Sequence, residues 1–198
     1  MKLHFIQKLL IVFALLGLTV LYAYYERNKF YGSQSSEITA PVLKELPSFN
    51  VVGMNIPGLI NSKEFAKDSQ GAFVHIWGTW CAPCEKEMPE FLTYAEKVEG
   101  RGLKFLLVAV NDEEVKIQKF LKRFPNIPKN VRFALDTDNK VMDLLGTLKV
   151  PETFLFSPEG KHINKFIGPQ DWLSESYITR LSFWLNDQKP EDRKIETH

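Results

Sequence analysis

The stretch AFVHIWGTWCAPCEKEMPEF, residues 72–91, decides how this chain is read. Its first six residues, AFVHIW (72–77), form a short apolar run rich in β-branched and aromatic side chains, the pattern of a buried strand. The segment Trp80-Cys81-Ala82-Pro83-Cys84 follows, placed after a strand and at the start of a helix. Two residues between cysteines on a first helical turn bring the sulfurs within disulfide reach. Cys81 then lies where unsatisfied backbone N–H groups and the positive end of the helix dipole favour a thiolate, so its pKa should fall. Cys84, one turn deeper and shielded, suits the resolving role in thiol exchange. Pro83 fits the first turn, where its missing N–H costs nothing.

Cys81 and Cys84 are the only cysteines in 198 residues. A multi-bridge secreted scaffold and a four-cysteine zinc site are therefore excluded. A lone C-x-x-C also serves half zinc sites, haem attachment and copper sites. Haem attachment is set aside because Glu85, not His, follows Cys84. Zinc would need two more ligands from His75, His162 or acids, with no spacing to recommend them. A passive disulfide would close too short a loop to stabilise much. Redox chemistry is the reading that remains, and it requires no cofactor and no metal, because the sulfurs themselves carry the electrons.

Working outward, LKFLLVAV (103–110) is apolar almost throughout, as a strand covered on both faces would be. Asn111 and Asp112 can cap a helix carrying Ile117, Phe120, Leu121 and Phe124 at helical spacing, stopped by Pro125. VRFAL (131–135) reads as another strand, and Asp136 or Asp138 opens a helix bearing Val141, Leu144, Leu145 and Leu148. TFLF (153–156) and HINKFI (162–167) flank the turn Ser157-Pro158-Glu159-Gly160 as a hairpin. Leu173, Tyr177, Leu181 and Trp184 or Leu185 mark the inner face of a closing helix. Alternating strands and helices ending in a hairpin specify an α/β sandwich with a mixed sheet.

Hydrophobic residues make up 44% and charged residues 25%, and 25 basic side chains nearly balance 24 acidic ones, for a net charge of +1. That excludes disorder and a nucleic-acid binder relying on bulk positive charge. The balance is uneven: Lys2, Lys8, Arg27 and Lys29 against Glu26 give the first 29 residues +3, leaving −2 for the rest. Between Leu9 and Tyr25 no residue is charged. As a helix these 17 residues would rise about 25 Å, just short of the roughly 30 Å hydrocarbon core, with Phe5 and Ile6 extending them and Lys8 able to snorkel. Tyr22, Tyr24 and Tyr25 fall where an interfacial aromatic belt would sit. A core helix apolar on every face is unsuited to this place, and the bulky tyrosines do not form a small-x-small cleavage site. Residues 1–29 therefore read as a retained membrane anchor with apolar core 9–25, a cleaved signal peptide being the alternative. Residues 30–45 read as a linker, 46–187 as one domain and 188–198 as a polar tail.

WGTWCAPC, Pro89 five residues after Cys84, and Val150-Pro151-Glu152-Thr153 before a strand together resemble the thioredoxin superfamily. More narrowly, the chain resembles the membrane-tethered TlpA, ResA and CcmG (DsbE) reductases over roughly residues 46–187. Sixty-six residues separate Cys84 from Pro151, room for one strand-helix unit beyond the minimal thioredoxin arrangement. Pro-Glu-Thr at 151–153 resembles CcmG, whereas Trp-Gly-Thr-Trp-Cys and Cys-Glu-Lys-Glu resemble ResA. The expected fold is thus thioredoxin-like, a central mixed β-sheet flanked by helices, with an extra strand-helix insertion and an N-terminal transmembrane helix.

The resemblance implies that Pro151 is cis and faces the cysteines, with the adjacent Val150 backbone free to pair with an extended substrate chain. Glu87, three residues after Cys84, matches an acid that tunes cysteine protonation in ResA-like proteins; spacing alone leaves it one more solvated acid beside Glu85 and Glu90. His75, six residues before Cys81, departs from the pattern, since classical thioredoxins carry a buried Asp there and the TlpA-like branch often Asn. A lone His in an apolar strand is a core residue by default; beneath the disulfide it would act as a proton relay. Trp80 is expected to shield the sulfurs and contact the client, although core packing competes with that role. By resemblance the protein is a thiol-disulfide oxidoreductase working as a reductase outside the cytoplasm. Its client would be the haem-binding cysteine pair of apocytochrome c, and its electron donor a DsbD- or CcdA-like transmembrane protein. A broader disulfide reductase or isomerase, and a copper-holding or client-binding module without turnover, are the alternatives.

Overall fold

The computed structural model describes residues 7, 8, 13–25 and 43–186. Residues 13–25 are helical (α1), in a unit separate from the body that begins at Leu43. That body runs β1 (Asn50–Gly53), β2 (Leu59–Asn61), α2 (Ser62–Ala66), β3 (Gly71–Trp77), α3 (Ala82–Lys97), β4 (Leu103–Ala109), α4 (Glu114–Leu121), β5 (Val131–Leu135), α5 (Val141–Leu145), β6 (Glu152–Phe156), β7 (His162–Ile167) and α6 (Glu175–Asn186). Among the described residues the strands form one sheet in the order β2-β1-β5-β4-β3-β6-β7. β3, β4 and β5 are parallel neighbours, and β1, β2, β6 and β7 pair antiparallel.

Every residue of β3 is buried, as its apolar run requires of a strand with helices on both faces. The period of two splits its side chains: Phe73 and Trp77 face a layer containing Met88, Phe91 and Tyr94 of α3, Ile117 and Phe120 of α4, and Leu181 of α6. Ala72, Val74 and Ile76 face the opposite layer, with Ala66 of α2 and Val141 and Leu145 of α5. Each fully buried phenylalanine contributes about 2–3 kcal/mol. His75 shares the parity of Phe73 and Trp77, so the strand aims its imidazole under α3. Two strand-helix units, β4-α4 and β5-α5, lie between α3 and β6, the extra unit for which the Cys84-to-Pro151 spacing leaves room.

The structure departs from the sequence expectations in several places, Phe124 and Leu173 lying just outside α4 and α6 among them. Asp112 is not the N-cap of α4, which is Glu113 without a side-chain cap bond; the Asp112 carboxylate accepts the Glu113 N–H and otherwise bonds Thr79. Leu148 is 90% exposed rather than packed, because Gly146, at φ 63°, ends α5 in the left-handed region after Leu145; Leu144, within the helix, is 43% exposed. β1, β2 and α2 occupy residues that carried no expectation. Trp184 and Leu185 lie outside the described side chains. Among the described residues no helix is long and apolar enough to cross a membrane. The expected anchor falls only partly within those residues, and the side chains of α1, including Phe13, Leu18, Leu21 and Tyr22, are exposed.

Candidate active site

β3 delivers the chain to its sheet end at Trp77, and Gly78-Thr79-Trp80 carries it over to α3. Cys81 is the N-cap of that helix, in extended conformation, and its sulfur accepts the Cys84 N–H at 3.2 Å. The cap position usually holds an oxygen acceptor; a sulfur there receives the same stabilisation, which is largest when it is a thiolate. Cys81 and Cys84 are joined as a disulfide, with Cα atoms 5.3 Å apart. Cys81 is 5% exposed and Cys84 fully buried, so of the two only Cys81 has any surface open to a partner thiolate.

The approach loop is clamped from the end of β4. Thr79 donates its N–H to Asp112 Oδ2 at 2.6 Å and its hydroxyl to Oδ1 at 2.9 Å. The Trp80 indole N–H donates to the Val110 carbonyl at 3.1 Å, and the Val110 N–H to the Trp77 carbonyl at 3.0 Å. Trp80 is nonetheless 56% exposed, a large aromatic surface beside the cysteines. It lies so close over Gly78 that a Cβ there would fall 2.5 Å from the indole nitrogen.

The Val150–Pro151 peptide is cis, as the resemblance implies. The register pairs Glu152 with Ile76, so Pro151 enters β6 beside the end of β3 from which the active-site loop departs. Its carbonyl accepts the Gly168 N–H at 2.9 Å, and Val150 before it is half-buried. The adjoining Glu152 is 2% exposed and ion-paired with Lys165 at 2.9 Å.

Glu87 is not a solvated acid: it is 5% exposed on α3, three residues after Cys84. Its Oε2 accepts the Gln170 N–H at 3.0 Å and the Trp172 indole N–H at 3.1 Å. Burial pushes its carboxyl above the ordinary range; the bonds from Gln170 and Trp172 oppose the shift, and the charge of Glu90 adds to it. Glu87 Oε1 lies 3.7 Å from His75 Nε2. His75 is fully buried, stacked on Phe91, with Nδ1 2.8 Å from the Thr153 hydroxyl. Burial lowers its pKa to about 3, so the imidazole is neutral.

The structure therefore brings His75 and Glu87 into one buried cluster and places Cys81 and Cys84 at the start of the helix that carries Glu87, with Trp80 just before it. Asp112, Thr79, Gln170 and Trp172 join the site unannounced. Gln170 contributes only its backbone, which no side-chain pattern reveals, and Trp172 stands before the closing helix, outside its period. Among the described residues no group of three or more His, Cys, Asp or Glu could hold a metal.

Fold and site together define a thioredoxin-like protein equipped for thiol-disulfide exchange. The chain matches the AhpC/TSA family over residues 42–163 and belongs to it. It is 33% identical over 109 residues to the thiol-disulfide oxidoreductase ResA of Bacillus subtilis, covering 55% of this chain and 58% of that protein. Against ResA of Bacillus cereus it is 28% identical over 156 residues, 77% of this chain and 86% of that one. Solved structures share the fold. A thiol:disulfide interchange protein DsbE from Chlorobium tepidum superposes with a TM-score of 0.62 at 21% identity, covering 72% of this chain and 96% of that chain. StoA from Bacillus subtilis gives 0.54 at 22% identity, covering 70% and 96%. The chain is an oxidoreductase, similar in sequence to ResA proteins and sharing its fold with DsbE and StoA.

Proposed function

We propose that the protein is a membrane-tethered disulfide reductase acting outside the cytoplasm. The observation that carries the exchange chemistry is the Cys81–Cys84 pair at the N-terminus of α3, its first residue at the cap with a little surface and its second fully buried. In the reduced protein Cys81 attacks a client disulfide, a mixed disulfide forms, and Cys84 displaces the client as a reduced dithiol. The protein leaves oxidised and takes two electrons back from a DsbD- or CcdA-like transmembrane donor. Val150, Pro151 and Trp80 form the client-facing surface, with Trp80 supplying exposed aromatic area. Glu87 is the acid that moves a proton to and from the sulfurs, and His75 its partner.

The client in this reading is the oxidised haem-binding cysteine pair of apocytochrome c, supported by the likeness to ResA and DsbE proteins. Tethering is supported by the uncharged stretch 9–25 and by the exposure of apolar side chains around α1. A Cys84→Ser variant should freeze the mixed disulfide and let the client be identified by mass. Recovery of unrelated secreted proteins in place of apocytochrome c would favour the broader reductase or isomerase. A reduction potential near the oxidising end of the superfamily, about −120 mV, would overturn the reductase direction. Release of the protein from membranes by an alkaline wash would overturn the tether.

A further inference from the structure

Between Glu87 and His75 two buried polar atoms face each other without a hydrogen bond among the described residues: Glu87 Oε1 and His75 Nε2. Their separation of 3.7 Å exceeds a hydrogen bond by under about 1 Å. It also leaves no room for a bridging water, since two bonds of about 2.8 Å through one oxygen span over 4 Å. The other half of each group is committed: Oε2 to Gln170 and Trp172, Nδ1 to Thr153.

Protonation decides whether this contact is repulsive or bonded. With Glu87 ionised and His75 in its Nδ1–H form, two lone pairs confront each other. An imidazolium would satisfy the carboxylate but places a charge on a fully buried ring. Two uncharged arrangements of the ring satisfy both ring nitrogens and Glu87 Oε1. In the first, Glu87 is protonated, Oε1–H donates to Nε2, and Nδ1–H donates to Thr153 Oγ1. In the second, Glu87 is ionised, Nε2–H donates to Oε1, and the Thr153 hydroxyl donates to Nδ1. They differ by one proton.

We propose that His75 is an uncharged switch for the proton of Glu87: its imidazole holds the Nδ1–H form while Glu87 is protonated and the Nε2–H form once Glu87 is ionised. His75 is thus a positioning residue, deepening the role given to Glu87 above and resting on that reading. When a protein dithiol reduces the pair, its thiolate bonds to the Cys81 sulfur, the S–S bond breaks, and the Cys84 sulfur leaves with the electron pair. The proton released by the couple goes to that sulfur, one helical turn from Glu87. The donor's second thiolate then displaces Cys81 and completes the two-electron transfer. Both states of the acid give Glu87 Oε1 and the two ring nitrogens of His75 a partner, so proton release leaves none of these three atoms unpaired. The groups facing the couple are Thr153 from β6, Phe91 from α3, and Gln170 and Trp172 from the segment before α6, with Glu90 the nearby charge acting on Glu87.

The test is nitrogen NMR of the full chain labelled in histidine, with carboxyl NMR of Glu87. The protonated nitrogen of His75 should change from Nδ1 to Nε2 at the midpoint where Glu87 ionises. Glu87→Gln should hold the Nδ1–H form at every pH, because its amide offers an N–H to Nε2. One tautomer throughout in the wild type, or both ring nitrogens protonated above about pH 5, would overturn the switch. As a second readout, His75→Leu should slow exchange of the reduced protein with glutathione disulfide about tenfold and alter its pH profile, and His75→Gln should restore most of the rate. A His75→Leu profile identical to wild type would also overturn it. Absence of exchange by the wild-type protein would instead overturn the proposed function, while the nitrogen shifts test the switch alone.

Discussion

Folding shifts the proton affinities of His75 and Glu87 in opposite directions, and a pH-resolved stability measurement can show it. In the unfolded chain His75 titrates near 6.5 and Glu87 near 4.5; in the fold burial takes the histidine down to about 3 and the glutamate upward. A depressed histidine contributes stability that is present above its unfolded value and is lost as pH falls toward the folded one, because only the unfolded state gains the proton. The raised glutamate has the opposite sign: its contribution is present below 4.5 and is lost as pH rises through its folded value. Above 4.5, up to the folded value of Glu87, the two slopes oppose each other in the wild type.

Glu87→Gln removes one slope and exposes the other. Below 6.5 the His75 slope is about 1.4 kcal/mol per pH unit. Between about pH 7.5 and about pH 4.5 the variant should therefore lose roughly 2–3 kcal/mol on account of His75. Other carboxylates titrate in that range too, so the comparison is with the double variant Glu87→Gln/His75→Gln, in which they are common. Urea unfolding of both at the two pH values gives the difference directly. If that difference changes by under about 0.5 kcal/mol, His75 is not a neutral buried group and the protonation argument fails.

Three further outcomes follow from the same geometry. Asp112→Ala removes the acceptor of both Thr79 bonds and should destabilise the protein by about 2 kcal/mol; combined with Thr79→Val in a double-mutant cycle it should be strongly non-additive, and additivity would show that the clamp does not act as a unit. Lys165→Met leaves the Glu152 carboxylate buried and unpaired, costing about 2–4 kcal/mol by urea unfolding, and adding Glu152→Gln should recover most of it. Gly78→Ala places a methyl against the indole and should swing Trp80 off the Val110 carbonyl, seen as faster hydrogen exchange of that indole N–H; unchanged exchange would mean the ring accommodates the methyl in place.

The parallel core of the fold was legible because its signals are local. β3, β4 and β5 are apolar runs of strand length whose burial on both faces needs no knowledge of partners, and C-x-x-C at a helix start carries its chemistry in its spacing. β1, β2 and α2 were not legible, because they are three to five residues long and held by pairing with β5 and by the Asn61 side chain capping α2. Asp112 had the composition of a cap and the structure used it as a clamp, since a carboxylate after a strand bonds whichever N–H groups tertiary packing brings nearest.

By itself, then, the sequence determined the strand-helix alternation, the redox pair and which of its sulfurs lies at the helix cap. Whether Glu87 was a surface acid or a buried one, and whether His75 was a core filler or its partner, depended on α3 lying across β3 at one particular rotation. Only tertiary structure sets that, because the protonation of a side chain follows the polar atoms and the solvent around it rather than its neighbours along the chain.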